Sequence, residues 1–415
     1  MHGAEEWAEG WRERVGAAER IVLDAAISTG RACAITPFLV GGPVRDLVLG
    51  ISFTDIDLMI EGEGSEFAAG LAEALGGELR RFSSFLTWRI EFPRNPAVDI
   101  TTARTESYPE PGALPQVSAA SVEQDLFRRD FAANAVALNL FTGQTIDPAG
   151  GIADIRSRRL RILHRRSFLD DPTRMYRGVR IGARLGFEFD SDTSSALREA
   201  VAINAADLIS RERVWREILL AMGEPSPAAS LIAMSRAKLF ERFLSAPELD
   251  ANVMMRIETS LRKSTASLDR NLMWAAALVA SSSAPAAALD GSGFSLSRTR
   301  KAVSLMHEAT QLAAGLKETS DPLEKLRLCA RSGVEAGILA SALSDVAAAI
   351  IEEFGDYAEL EIGIRGDELG LPYGPHIARA LESAREAVYL KRIPKEEALD
   401  FARKAGLQYL KGELE

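Results

Sequence analysis

The chain is 415 residues long, 47% hydrophobic and 26% charged, with a formal net charge of −10. That length exceeds a single ordinary core, so two or more packed units are expected, and the acidic balance excludes a generally basic coat for nucleic acid. No apolar run reaches membrane-spanning length, no signal-peptide pattern opens the chain, and two distant cysteines, Cys33 and Cys329, form no metal or redox spacing and suit a reducing cytoplasm.

Residues 1–20 are charged and read as a helical lead-in. Residues 39–61 (LVGGPVRDLVLGISFTDIDLMIE) read as a strand, a glycine turn, a short helix and a second strand. Pro43 suits the first turn of the helix and Gly50 its end. Gly41 and Gly42 let the backbone approach a ligand, the helix start offers N–H groups to an anion, and Arg45 in the first turn can grip phosphate. On the second strand the period of two puts Asp55 and Asp57 on one side, ~7 Å apart, where two carboxylates can share divalent cations. A phosphate cradle beside a metal-binding strand points to nucleotidyl transfer.

Residues 66–76 are amphipathic and end in Gly76 and Gly77, a helix with a glycine stop. Residues 79–92 hold two strand-like runs, the second over 85–92, and residues 97–102 (AVDITT) form another. Asp99 in that strand is either a third carboxylate near the metal site or an ordinary strand-end residue. Residues 104–121 (RTESYPEPGALPQVSAAS) are rich in Pro, Gly and Ser and are expected as a long loop. Residues 123–140 start polar, with Arg128, Arg129, Asp130 and Phe131, and end apolar; residues 147–151 (DPAGG) read as a turn.

From Arg156 to Arg184 there are ten arginines and two acids, Asp170 and Asp171, so a phosphate-facing surface is expected there. Within it, residues 167–186 form an arginine helix: Asp171 and Pro172 suit its start, and Arg174, Arg177, Arg180 and Arg184 share one face. Asp171 and Arg174, three apart, present an acceptor and a donor side by side. Cytosine and adenine both show an amino donor beside a ring-nitrogen acceptor, which this pair complements; uracil and guanine show the reverse. Residues 210–217 (SRERVWRE) open a further helix, whose Glu212, Arg213 and Glu217 read as structural anchors. Beyond residue 223 the chain reads as helix after helix, with a low-complexity connector at 281–293.

In order, the segments GG-x-VRD, D-x-D, RRDF, DPAGG and DDPTR resemble the signatures of the class II tRNA nucleotidyltransferase and bacterial poly(A) polymerase family. Three departures stand out: Phe85-Leu86-Thr87 where the family often has Phe-Gly-Thr, Ala132-Ala133 where it has Thr-Ile, and Asp170 in place of Glu. The resemblance implies an α+β fold: a head with a small mixed β-sheet over 1–150 (palm about 35–148), then a helical neck over 151–222, body over 223–290 and tail over 291–415. It implies addition of C and A to the 3′ end of tRNA from CTP and ATP. Enzymes adding only A, adding only CC, or building poly(A) share these motifs. Asp55 and Asp57 would be catalytic and hold Mg2+. Gly41, Gly42, Arg45 and an arginine of the Arg128-Arg129 pair would cradle phosphates, with Asp130 orienting that arginine. Asp171 and Arg174 would select the base, and Arg177 and Arg180 would hold phosphates or support the pair. The 104–121 segment resembles the family's flexible loop, which implies a part in the terminal A-addition. Neck and tail would hold the acceptor–T arm of tRNA. A non-catalytic RNA-binding protein on this fold is the competing class, and the intact Asp55 and Asp57 speak against it.

Overall fold

The computed structural model describes residues 10–53, 55–82, 86–92, 97–241, 243–245, 248–280, 282–354, 357 and 360–412. The expected lead-in over 1–9 and Phe85 lie outside them. The chain divides into two compact units, 1–243 and 244–415.

After a helical turn at Trp11–Arg14, the first unit has helix α1 (Ala17–Ala32) and then builds a sheet: β1 (Phe38–Val40), α2 (Gly42–Leu49), β2 (Ile56–Ile60), α3 (Ser65–Leu75), β3 (Glu78–Phe82), β4 (Thr87–Glu91) and β5 (Val98–Thr102). After β6 (Arg104–Ser107), β7 (Gln116–Ala119) and α4 (Val122–Phe127), the strands β8 (Ala137–Asn139) and β9 (Thr145–Ile146) complete it. The order is β3-β4-β5-β2-β1-β8-β9. The sheet is mixed: β2 runs parallel to β5, and the other pairs are antiparallel. The apolar set alternating along β2 and β5, with Trp88, Phe67 and Leu71, is buried, so the register cannot slip without exposing it.

The glycines work as their positions suggest. Gly50 and Gly76 end α2 and α3 in the left-handed region, with φ of 69° and 65°, which glycine adopts without a Cβ penalty. The stretch 104–121 differs from expectation. It is a β-hairpin, β6 pairing antiparallel with β7 from Arg104 opposite Ala119 to Ser107 opposite Gln116. Its prolines and Gly112 all fall in the connecting turn, so a composition averaged over the stretch hid two four-residue strands.

The Asp147 carboxylate accepts from the N–H groups of Gly151 (2.6 Å) and Ile152 (3.0 Å) and so caps α5 (Gly151–Arg156). A short parallel pair, β10 (Arg159–Leu160) with β11 (Glu188–Phe189), brackets the arginine region. That region is two helices, α6 (Ser167–Asp170) and α7 (Thr173–Leu185), broken at Asp171, whose backbone is extended. Helices α8 (Ser191–Ala202), α9 (Arg211–Met222) and α10 (Pro227–Arg236) finish the unit.

The second unit is helical, as expected: α11 (Ala251–Lys263), α12 (Arg270–Val279), α13 (Leu296–Glu318), α14 (Pro322–Leu343, kinked at Gly333), α15 (Asp345–Phe354), α16 (Pro375–Tyr389) and α17 (Ala398–Lys411). Alanines of α16 and α17 close on Leu369 in a small core of their own. Among the described residues no helix is long and apolar enough to cross a membrane.

One contact ties α7 to the sheet domain. Phe131 is fully buried between Phe168 and Phe189, its ring centroid 6.4 Å and 6.2 Å from theirs. A Cβ on Gly178 would stand 2.5 Å from the tip of the Phe131 ring and 3.0 Å from Phe189, so α7 can lie this close only because residue 178 lacks one. Gly178→Ala is expected to destabilise the first unit by about 1–3 kcal/mol through overpacking. A urea melt followed by tryptophan fluorescence would show a lower midpoint, and an unchanged midpoint would contradict this packing.

Candidate active site

Every residue singled out above as catalytic or nucleotide-binding lines one cleft of about 660 Å³ in the first unit, from Gly41, Asp55 and Asp57 at one side to Asp171, Arg174, Arg177 and Arg180 at the other. Asp99, left open on sequence grounds, lines it too.

The acidic side follows from strand register. Asp57 on β2 lies opposite Asp99 on β5, and Asp99 opposite Arg89 on β4, so the three form a row across the sheet. Asp99 is bound by Arg89 at 3.0 and 3.1 Å. Burial, then the neighbouring Asp99 and Asp55 charges, push the Asp57 carboxyl up to about 6, against the opposing pull of Arg129 and Arg89. Asp99 is also raised, first by burial. A carboxylate that is costly to ionise, beside two others, is a negative hollow that a cation would relieve, so the donor set fits a divalent metal. Among the described residues no group of three or more His, Cys, Asp or Glu is gathered closely enough to hold a metal unaided. Two carboxylates with the other positions left to water and phosphate oxygens is the usual arrangement for Mg2+.

Gly41 joins this side to the start of α2. Its φ is +74°, and a Cβ there would stand 3.1 Å from Arg129 Nη1 and 3.4 Å from Asp57 Oδ2, so glycine satisfies both the backbone and the close approach. Arg129 spends its Nε on Asp125 (3.2 Å) and keeps Nη1 beside Gly41. Arg128 instead bonds Asp125 (2.6 Å) and Glu106 (2.7 Å), toward the hairpin. Of this pair, Arg129 is therefore the one set toward Gly41 and the start of α2. Arg45 is buried, with Nε on Asp46 (2.8 Å) and Nη1 on Asn134 (2.7 Å). Burial lowers its pKa, partly offset by Asp46. Asn134 in turn donates to Asp130 (3.0 Å). Burial pushes Asp130 up, but Arg177, Asn134, Arg174 and the Phe131 N–H outweigh it and hold it below the ordinary range.

At the other side, the Arg174 fork is sunk in the protein. Its Nη1 donates to Ser167 Oγ (2.8 Å) and the Arg129 carbonyl (3.4 Å), and its Nη2 to the Arg128 carbonyl (2.9 Å) and Tyr108 Oη (3.5 Å). Arg174 thus clamps the RRDF segment, and its Nε is the donor without a hydrogen bond among the described residues. Asp171 Oδ1 accepts from Thr173 N (3.1 Å), Thr173 Oγ1 (2.6 Å) and Arg213 Nη2 (2.9 Å). Its Oδ2 meets Arg174 Nε at 3.9 Å. Asp171 is thus not the N-cap expected of it, since Pro172 takes that position; one oxygen holds Thr173 and Arg213, and the other stays available beside Arg174 Nε.

The expected phosphate-facing surface over 156–184 is largely paired within the protein. Arg159 and Arg161 bind Asp154, Arg165 binds Glu199, Arg177 binds Glu217 (3.0 Å) and Asp130 (3.4 Å), and Arg180 binds Glu224 (2.6 Å). The acids absent from the segment come from elsewhere in the chain. Of residues 210–217, Glu217 binds α7 through Arg177 and Arg180. Arg213 does more: it lines the cleft, binds Asp171 and donates to the Gly112 carbonyl (2.9 Å) at the hairpin tip. Sequence reasoning also missed Glu106 and Tyr108, because they lay in a stretch read as loop. Tyr108 donates to Glu106 (2.8 Å), and its phenol is raised by burial and by that carboxylate.

Residues 37–161 match the family described as the poly(A) polymerase head domain, and residues 186–253 the one described as the probable RNA- and SrmB-binding site of polymerase A. An A-adding tRNA nucleotidyltransferase of Halalkalibacterium halodurans is 39% identical over 212 residues, which cover 50% of each chain. A CC-adding tRNA nucleotidyltransferase of Deinococcus radiodurans is 35% identical over 192 residues, 46% of this chain and 50% of that one. The chain thus spans about half the length of these curated relatives. The fold matches a Thermotoga maritima CCA-adding enzyme complexed with tRNA, with a TM-score of 0.77 at 24% identity over 97% of this chain and 98% of that one.

The raised Asp57 pKa carries a consequence for stability. An acid whose folded pKa lies above its unfolded value of 3.8 favours folding while protonated, and that contribution is lost as pH rises from 3.8 through about 6. At pH 7.5 the metal-free fold therefore carries an unfavourable charge. In EDTA, Asp57→Asn is expected to melt about 2–4 °C above the parent at pH 7.5, the scale of about 1 kcal/mol, with the gain vanishing near pH 4. A variant melting at or below the parent at pH 7.5 would contradict the assignment.

Proposed function

We propose that this chain, which belongs to the family of the poly(A) polymerase head domain, is a nucleotidyltransferase that extends the 3′ end of tRNA with C and A, choosing the base without a nucleic-acid template. One observation carries this: Asp55 and Asp57, the Gly41–Arg129 junction and the Asp171–Arg174 pair, far apart in sequence, line a single cleft. In the reaction the terminal 3′-hydroxyl gives up its proton to solvent water as its oxygen bonds to the α-phosphorus of the incoming triphosphate, the bond from that phosphorus to the bridging oxygen breaks, and pyrophosphate leaves with the electron pair. A divalent cation, Mg2+ in this reading, would be held by Asp55 and Asp57 with Asp99 beside them, and supplies Lewis acidity and charge neutralisation.

The chain's own groups bind and orient. Arg129 Nη1 and the start of α2 at Gly42 receive phosphate oxygens. Asp171 Oδ2 accepts from the exocyclic amine of C or A, and Arg174 Nε donates to the adjacent ring nitrogen. Uracil or guanine sets like against like there, at about 1–3 kcal/mol for each group left unpaired, roughly ten- to a hundredfold in selection. Arg177 and Arg180, paired with Glu217 and Glu224, support this arrangement. The neck and the helical unit hold the acceptor–T arm through its shape and backbone, with head, neck, body and tail bounded near residues 150, 222 and 290, in the cytoplasm. A second reading, addition of A alone, is favoured by the 39% identity to the A-adding relative.

Purified protein, Mg2+ and CTP, ATP or both, incubated with tRNA transcripts ending before, within or after the CC, separates these readings by product length. The first reading expects every incomplete end to be finished to CCA; the second expects only CC ends to grow, and only with ATP. No extension of any transcript would overturn both. Asp57→Ala is expected to cut extension by more than about a hundredfold, since even outer-shell changes at metal sites cost 10–100-fold. Asp171→Asn is expected to lower discrimination against UTP and GTP about tenfold or more; unchanged discrimination would remove Asp171 from base selection.

A further inference from the structure

We infer that Arg184 is a phosphate-binding residue of this cleft, an inference that rests on the nucleotidyl-transfer reading above. Arg184 stands at the end of α7, ten residues beyond Arg174 and so about 15 Å along the helix from the base-reading pair, and it lines the cleft. It differs from the other arginines on its face. Arg174, Arg177 and Arg180 each have a donor committed at 3.0 Å or closer, to Ser167, Glu217 and Glu224. Arg184 has no hydrogen bond among the described residues. Its nearest acids are Asp46 at 3.7 Å and Glu224 at 3.8 Å, both beyond hydrogen-bond reach, and its side chain is 29% exposed.

Those two acids do not depend on it. Asp46 is bound by Arg45 at 2.7 Å, and Glu224 by Arg180 at 2.6 Å. Arg184 can therefore turn away without leaving a buried carboxylate bare, which is the step that makes breaking a buried ion pair expensive. A permanently charged, planar fork with no hydrogen bond among the described residues, held in a cleft wall by ion pairs at 3.7 and 3.8 Å, suits bidentate capture of phosphate oxygens. Two sources share that chemistry: the incoming triphosphate and a phosphodiester of the strand being extended. The plain alternative is a structural ion pair joining α2 to α7.

The test uses the full chain and measures binding rather than turnover. Inorganic tripolyphosphate by calorimetry, and an acceptor-stem RNA hairpin ending in single-stranded CC by fluorescence anisotropy, are titrated into the parent, Arg184→Ala and Arg184→Lys. Arg184→Ala is expected to weaken one of the two probes about tenfold, with a melting temperature within about 2 °C of the parent, and Arg184→Lys to recover part of the loss. Loss confined to tripolyphosphate assigns the triphosphate. Loss confined to the hairpin, with a salt slope reduced by about one, assigns the RNA backbone. Equal binding of both probes by parent and Arg184→Ala overturns the inference and leaves the transferase reading standing. So does a loss that follows a lowered melting temperature and is not recovered by lysine. A parent that binds neither probe removes the transferase reading and this inference with it.

Discussion

The parallel pairing of β2 with β5 is the constraint on which the cleft depends. It brings Asp57 beside Asp99 at one level of the sheet, with Arg89 on the next strand. A row of two acids and one arginine leaves the acids under-neutralised, so the middle of the sheet, where it lines the cleft, carries a carboxylate that burial and its neighbours hold near 6. Such a site is poor for the bare fold and good for binding a cation, a trade commonly met where chemistry is done. Gly41 makes the arrangement usable: without a side chain, the turn from β1 into α2 lets Arg129 and Asp57 come to the same point.

Placing the neck against the sheet domain depends on equally local features. Phe131 fills the space over Gly178, and the Arg174 fork holds the carbonyls of Arg128 and Arg129. The RRDF segment is therefore shared: Arg129 faces Gly41 and Arg128 the hairpin, while the Phe131 ring and the carbonyls of Arg128 and Arg129 are held by α7. Asp171 has the same double character, one oxygen committed to Thr173 and Arg213 and the other open to the cleft.

The arginines of α7 show where counting charges misleads. Ten arginines with two acids in one segment suggest a surface made for polyanions. In the fold most of them meet acids supplied by α5, α8, α9 and the turn after it. Pairing does not remove them from the site, because Arg177 and Arg180 still line the cleft, but it makes their positions stiff and their charges largely answered. The positive character left for a ligand is concentrated at Arg129 and Arg184.

Taken alone, the amino-acid sequence determined the elements whose cause is local. The period of two at the start of β2 brought Asp55 and Asp57 to one cleft, Pro43 and Gly50 bounded α2, Gly76 ended α3, and the DPAGG turn led into α5. Spacing and residue type also picked out Gly41, Asp55, Asp57, Asp171 and Arg174, which the fold brings to one cleft. Only the tertiary structure decided that Asp99 joins the carboxylates, because strand pairing across 42 residues of chain leaves no mark in a local pattern. The same holds for the division of labour between Arg128 and Arg129, the hairpin hidden in a Pro- and Gly-rich stretch, the Arg213 link from Asp171 to Gly112, and the loose footing of Arg184. Each is set by which distant group comes within about 3 Å, and hydrogen bonds of that length are decided by packing, not by neighbours in the chain.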